Sequence, residues 1–285
     1  MPSMVTEPQI NINEKFIQQN VESPHTTSLS LDAQDADGSI VSFRPAEGLV
    51  GRAMRRAIQT GERLNLAYTK IPGNPMIYPT GSFPWEAVLE QATPGILAEL
   101  NAVLERQVEL PSFNQIVKDV ELVAQPELWK TFFLCGYGAK SARNIAACPK
   151  TWAAVQGIPG LKTAMFSIME PGTHLAPHRG PYNGVLRVHL GLIIPPPPSD
   201  VAIRVGDALY HWQAGKVVVF DDAYEHEAWN HSDDTRVVLF LDFVKPLRFP
   251  ASLVNWLLLN LAAFSSYVRE GAENQTEWER HFYQK

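Results

Sequence analysis

Six side chains between positions 167 and 236 are of types that act together in chemistry: Ser167, His178, Arg187, His189, His226 and Arg236. His178 and His226 each sit at the mouth of a short β-strand pattern. Neutral imidazoles are the commonest protein ligands for iron, zinc and copper. Arginine presents a fixed fork of donors to a carboxylate, and serine adds a hydroxyl donor. Strand alternation sorts these groups. In Gly184–Ile194, Val185, Arg187, His189 and Gly191 share one face, and Leu186, Val188, Leu190 and Leu192 share the other. Ser167 and Met169 likewise share a face, opposite Phe166 and Ile168. A core-facing strand should not carry Arg-x-His inward unless something anionic or metallic meets it. A small barrel that holds a ligand in its mouth has this pattern.

On spacing alone the metal signature is incomplete. Iron centres that activate oxygen add a carboxylate two residues after the first histidine, and here that position is Gly180. Three readings stay open: an oxygenase, a catalytically silent β-barrel that binds a metabolite through Arg187 and Arg236, and a zinc hydrolase. The hydrolase needs a third ligand and a general base, and neither is evident. The plainer expectations are a loop residue at His174 and exposed or capping roles for His211, His231 and His281. Asp221 reads as a solvated turn residue, and Trp212 and Trp229 as packing. Arg187 and Arg236 have Glu225 and Asp242 as rival ion-pair partners.

The elements that must position these residues change period along the chain. Residues 1–40 are polar, with scattered Pro, Ser, Thr and Asp, and read as a mobile lead-in. Residues 41–128 read as a mostly helical support: Leu49–Arg63 has helical spacing, and Thr93-Pro94 is expected to open a second helix with its face at Ile96, Leu97, Leu100, Val103 and Leu104. From Trp129 the pattern becomes β-like. Strands are expected at Trp129–Tyr137, Ala164–Met169, Gly184–Ile194, Ala202–Val205, Ala208–Trp212, Lys216–Phe220 and Arg236–Val244. The run Pro195–Pro198 cannot donate to a ladder and must connect strands. The expected fold is therefore mainly β with flanking helices, a jelly roll over 129–246, followed by a helical extension over 247–285.

Composition bounds the rest. With 285 residues, 45% of them hydrophobic, the chain can bury a sizeable core. A net charge of −6 gives no bulk attraction to nucleic acid or anionic membrane. Two cysteines, Cys135 and Cys148, are too few for a disulfide scaffold or a cysteine-based zinc ribbon. No basic-then-apolar leader opens the chain. Leu253–Phe264, interrupted by Asn255 and Asn260, falls short of the roughly 20 apolar residues a membrane span needs and reads as a buried helix. These features predict a soluble, cytoplasmic protein with no nucleic-acid partner and no membrane span.

Two long ordered runs then carry a resemblance. Phe166-Ser-Ile-Met-Glu-Pro-Gly-Thr-His-Leu-Ala-Pro-His178-Arg-Gly-Pro-Tyr-Asn-Gly-Val-Leu-Arg187-Val-His189-Leu-Gly-Leu is the first, and Trp212-Gln-Ala-Gly-Lys-Val-Val-Val-Phe-Asp-Asp222-Ala-Tyr-Glu-His226-Glu-Ala-Trp-Asn with Arg236 is the second. Together they resemble the aspartyl/asparaginyl β-hydroxylase family, densely from Trp129 to Pro246. The resemblance implies a double-stranded β-helix that uses Fe(2+), 2-oxoglutarate and O₂ to hydroxylate a C–H bond. It implies iron at His178 and His226. It also implies the distal carboxylate of 2-oxoglutarate at Arg236 and Ser167, with Arg187 and His189 near its other end or the substrate and Met169 against its methylenes.

Members of the aspartyl type also have Gly at the Gly180 position, so Asp222 would hydrogen-bond a water at the metal. Gly180 leaves room for a halide, so halogenation and desaturation stand beside hydroxylation. Members acting on folded protein modules carry a further Arg where Val185 stands, and lipid A hydroxylases carry Asp where Gly180 stands. Both departures point away from those branches. The expected substrate is an amino-acid-like small molecule, a natural-product intermediate or a short peptide, touched at the rim by Arg179 and Tyr182.

Overall fold

The computed structural model describes residues 40–41, 48–117, 127–263 and 266–284. Among the described residues, eleven strands form two facing sheets. The first has the order β1 (Ile40–Val41), β5 (Thr173–Arg179), β10 (His226–Asn230), β7 (Val201–Val205) and β8 (Ala208–His211). The second runs β3 (Ala139–Lys140), β2 (Trp129–Gly136), β4 (Leu161–Met169), β11 (Arg236–Val244), β6 (Val185–Ile193) and β9 (Val217–Phe220). This is a jelly-roll core with helices against it.

Alternation makes each face of the second sheet a different surface. Phe166, Ile168, Leu186, Val188, Leu190, Val237, Leu239 and Leu241 form the outer core. They pack with Leu89, Ile96 and Leu100 of helix α2 (Glu86–Leu104) and Phe282 of α7 (Ser266–Phe282). The inner face puts Met165, Met169, Val218, Val238 and Phe240 against Leu175, Val201, Ile203, Val205 and Ala228 of the first sheet. Register fixes the polar residues within this inner core: Asp242 lies opposite Arg187, Phe240 opposite His189, Val238 opposite both Ser167 and Gly191, and Arg236 opposite Met169.

Three expectations need correction. Helix α2 starts at Glu86, not at Thr93-Pro94, and Pro94 lies inside it. The Glu86 carboxylate accepts the backbone N–H groups of Gly81 (2.7 Å) and Phe83 (2.8 Å) and so fixes the start. An interior proline costs about 3 kcal/mol, and burial of Leu89, Ile96, Leu100 and Val103 on one side of the helix outweighs it. Second, β5 and β10, which carry the two histidines, were not foreseen as strands. Thr-His-Leu-Ala-Pro-His-Arg contains a proline and lacks clean alternation, and His-Glu-Ala-Trp-Asn is short and polar.

Third, the apolar C-terminal helix α6 (Ala251–Ala263) is not buried all round. Ala251, Asn255 and Leu259 point inward, whereas Leu253, Trp256, Leu257 and Leu261 are exposed. Helix α1 (Leu49–Ala67) packs against it. Shorter helices α3 (Phe113–Ile116), α4 (Ala142–Ala147) and α5 (Pro149–Val155) complete the support around β2 and α2. Among the described residues no helix is long and apolar enough to cross a membrane. The lead-in expected over residues 1–40 lies outside the described residues except at its last position, where Ile40 pairs in parallel with His178.

Candidate active site

β5 and β10 run antiparallel with His178 directly opposite His226. Their ring centroids are 4.2 Å apart and both side chains are buried. Each ring is oriented the same way: Nδ1 of His178 lies 2.7 Å from the Ala176 carbonyl, and Nδ1 of His226 lies 2.9 Å from the Tyr224 carbonyl. A carbonyl only accepts, so both Nδ1 atoms carry the proton and both Nε2 atoms keep a lone pair. Burial, the neighbouring imidazole and Arg187 hold His226 well below its usual range, and burial brings His178 down to about 4. Two neutral imidazoles with fixed tautomers side by side can share one metal ion. Among the described residues no three His, Cys, Asp or Glu side chains converge on a common point.

Where a triad enzyme would place its carboxylate stands Gly180, and the space beside it is filled. A Cβ at Gly180 would lie 2.6 Å from Cγ of Asp222 and closer still to one of its oxygens. The Gly180 N–H also donates to the Asp222 carbonyl at 2.8 Å. The Asp222 carboxylate thus comes from the β9–β10 connection to the place that a side chain at 180 would occupy. One oxygen, Oδ2, receives Arg187 Nη2 at 2.9 Å, and Oδ1 has no partner. Burial pushes the Asp222 carboxyl up to about 7, against the pull of Arg187.

A line of side chains leads from the histidines across the inner face. His226 meets Phe220 at 5.9 Å between centroids, Phe220 meets His189 at 5.0 Å, and His189 meets Trp212 at 5.8 Å. The Arg236 guanidinium carbon then lies 4.0 Å from the Trp212 ring centre. Arg236 is 1% exposed; among the described residues it forms no ion pair, and its Nε and Nη1 have no acceptor. Burial alone lowers it to about 9. His189 is also buried, with both ring nitrogens unpartnered, and Trp212 Nε1 is unpartnered as well. Buried polar groups are normally satisfied, so this cluster of orphaned donors around one cation has the chemistry of a site for a buried anion. Ser167, a diagonal neighbour of Arg236 on the same face, accepts from Trp129 Nε1 at 3.0 Å and retains its hydroxyl proton. Met169 lies directly opposite Arg236.

Arg187 is placed differently. Its Nε binds Asp242 Oδ1 at 3.0 Å, its Nη2 binds Asp222, and its guanidinium carbon stacks 4.4 Å over Phe240. The plainer expectation of an Asp242 ion pair therefore applies to Arg187, while Arg236 has neither of the rival acids. Asp221 departs from its expected role as a solvated turn residue: it is 1% exposed and its Oδ2 binds the buried Lys245 at 2.6 Å. Lys245 was not singled out in the sequence, where a lysine just after an apolar strand looks like a solvated end. At the rim, Arg179 Nε donates to the Ala223 carbonyl (2.8 Å), and Tyr182 Oη accepts from Asn65 Nδ2 (2.9 Å). His174 pairs with Glu227 at 2.9 Å on the surface, away from the buried pair.

Residues 90–246, more than half of the chain, match the Aspartyl/Asparaginyl beta-hydroxylase family. The chain is 62% identical over 92% of its length to the "Ornithine lipid ester-linked acyl 2-hydroxylase" of Rhizobium tropici, of which it covers 94%. It is 37% identical over 43% of its length to the human "Aspartyl/asparaginyl beta-hydroxylase", but spans only 16% of that longer protein. A Trichoplax adhaerens prolyl hydroxylase structure aligns with 75% of this chain and 99% of its own at 12% identity, with a TM-score of 0.43.

Proposed function

We propose, since this chain belongs to the aspartyl/asparaginyl β-hydroxylase family, that it is a hydroxylase dependent on Fe(2+), 2-oxoglutarate and O₂ whose substrate is the acyl chain of an aminolipid. The observation that carries the reaction type is the buried pair of neutral imidazoles, both with Nε2 lone pairs free, in the same inner core as a buried arginine that has no ion-pair partner among the described residues. The donor set fits the implied groups. His178 and His226 would hold the iron. Arg236, with Ser167 and His189, would take the distal carboxylate of 2-oxoglutarate, with Met169 along its methylenes. Iron with 2-oxoglutarate and oxygen supplies the oxidising power that breaks an unactivated C–H bond.

The chain's own side chains do the rest. The Ala176 and Tyr224 carbonyls hold the two imidazoles in one tautomer and orientation. The apolar inner core keeps bulk water away. Asp222, with a carboxyl near neutrality and Oδ1 free, can hold or release a proton there, while Arg187 and Asp242 fix its position. We therefore assign Arg187 to orienting Asp222 rather than to the cosubstrate. The same carboxylate fills the gap beside Gly180, which disfavours a halide there and favours hydroxylation over halogenation. Arg179 and Tyr182 would touch the substrate at the rim. Two unpaired buried cysteines, Cys135 and Cys148, suit a reducing compartment such as the cytoplasm.

The substrate class rests on the Rhizobium relative, whose identity extends over nearly the whole chain. It takes precedence over the small molecule or short peptide that the sequence suggested. The test is anaerobic reconstitution with Fe(2+) and 2-oxoglutarate, then oxygen and an ornithine lipid. Succinate and a lipid one oxygen heavier are expected, both lost in His178→Ala and His226→Ala. Succinate without lipid oxidation would leave the cosubstrate assignment standing and overturn the substrate. No succinate with Fe(2+), or turnover with Zn(2+) instead, would overturn the reaction class.

A further inference from the structure

We propose that α1 and α6 together dock this protein on the surface of an anionic lipid bilayer, with α6 lying in the plane of the interface. Helix α6 is apolar on two sides. Its inward side is Ala251, Asn255 and Leu259, and its outward side, at i, i+3, i+4 and i+8, is Leu253, Trp256, Leu257 and Leu261. Those four remain 46–61% exposed, and Phe249, just before the helix, is 76% exposed. A helix apolar all round normally lies within a core or a membrane, and single exposed apolar residues are common where a contiguous patch is not. With 13 residues α6 is too short to cross a bilayer. It can rest at the boundary of headgroups and acyl chains, where tryptophan is at home.

The surroundings of the patch name its partner by charge. Arg52, Arg55, Arg56 and Arg63 are exposed on α1, and exposed Arg248 precedes Phe249 at the start of α6. The only carboxylate within the two helices is Glu62, which is buried. These arginines make α1 and the approach to α6 cationic on a chain of net charge −6, while the exposed Glu270, Glu273 and Glu277 lie on the following helix, α7. Anionic headgroups attract such a face, whereas a second copy would bring the same arginines against it.

The patch also adjoins the site. Gly61 of α1 is so close to α6 and the rim that a Cβ there would lie 2.5 Å from Leu258 Cδ1 and 2.9 Å from Tyr182 Oη. Asn65 of α1 donates to Tyr182, and Asn255 of α6 donates to the Gly184 carbonyl at 2.9 Å. Both helices therefore clamp the 180–184 segment that joins His178 to Arg187. A protein resting on α6 holds this rim next to the lipid. The bilayer, as the reason for such a face, rests on the acyl-lipid reading given above.

Sedimentation of the full chain with vesicles tests it, using phosphatidylcholine alone or mixed with phosphatidylglycerol. The wild type is expected to bind the mixed vesicles, and Leu253→Ser/Trp256→Ser/Leu257→Ser to bind at least about tenfold more weakly. Arg52→Gln/Arg56→Gln is expected to weaken binding about fivefold per charge at low salt and little at high salt. A wild type that stays in the supernatant, or a triple variant that sediments equally, overturns the proposal. So does a wild-type dimer that the triple substitution splits without any vesicle binding, which would make the face a contact between copies. Assays on detergent-dispersed ornithine lipid separate this from the acyl-lipid reading: both proteins should hydroxylate it equally. If the wild type cannot, the substrate assignment fails while the vesicle result stands on its own.

Discussion

Arg187 and Arg236 project from neighbouring strands into the same inner core, and the fold treats them in opposite ways. Arg187, at one end, is held by two carboxylates and stacks on Phe240. Arg236, at the other end, stacks on Trp212 and meets no carboxylate among the described residues. Removing a guanidinium from water is costly unless it is paired. The first cation is neutralised by neighbouring carboxylates and serves the architecture, whereas the second has no counter-charge among the described residues and is open to a bound anion. The difference assigns roles that residue type alone could not.

The largest effect should come from Arg236→Leu. At limiting 2-oxoglutarate, kcat/KM is expected to fall about a thousandfold, equivalent to roughly 4 kcal/mol. The unfolding midpoint of the ligand-free protein should rise, because an unpaired buried charge is gone. Calorimetry showing Arg236→Leu less stable than wild type would break the comparison. Arg187→Met should behave in the reverse sense, destabilising the fold by about 3 kcal/mol in chemical denaturation because Asp222 and Asp242 lose their counter-charge. Adding Asp222→Asn and Asp242→Asn should restore most of that loss. Without such rescue, the ion-pair account of Arg187 fails.

Next comes a pH effect. Burial raises the Asp222 carboxyl to about 7 in the fold against the pull of Arg187, so it is protonated in acid and pairs with Arg187 as a carboxylate once ionised. Its stabilising contribution is full below the unfolded carboxyl value near pH 4 and is lost as pH rises through about 7. His178, lowered to about 4, acts in the opposite sense between about pH 4 and 6.5. Comparison with Asp222→Asn isolates the carboxyl: the variant should gain on the wild type steadily from pH 4 to pH 7 in metal-free denaturant titrations. A flat difference would contradict the assignment. The smallest effect is steric: Gly180→Ala should cost about 1–2 kcal/mol by overpacking against Asp222, and Asp222→Ala in the same chain should relieve it.

The sheet was legible wherever apolar residues alternate or run together. Seven strands were foreseen within a residue or a few at each end, because Val, Ile, Leu and Phe mark β4, β6, β9 and β11 plainly. The alternation of Arg187 and His189 against Leu186, Val188 and Leu190 also emerged from the sequence, since a period of two leaves little choice of face. β5 and β10 escaped because their residues are chosen for the site and not for the core. The exposed side of α6 escaped for a different reason: hydropathy counts apolar residues but does not say whether anything covers them. Pairing was the least legible. Nothing local distinguishes the two arginines; only register brings Asp242 opposite Arg187 and leaves Arg236 opposite Met169.

The contact between Gly180 and Asp222 also limits how this site can be rebuilt. An acidic side chain introduced at 180 would need the volume that the Asp222 carboxyl already fills. A single substitution at 180 therefore cannot add a third ligand beside the two histidines; the residue at 222 must be replaced in the same step.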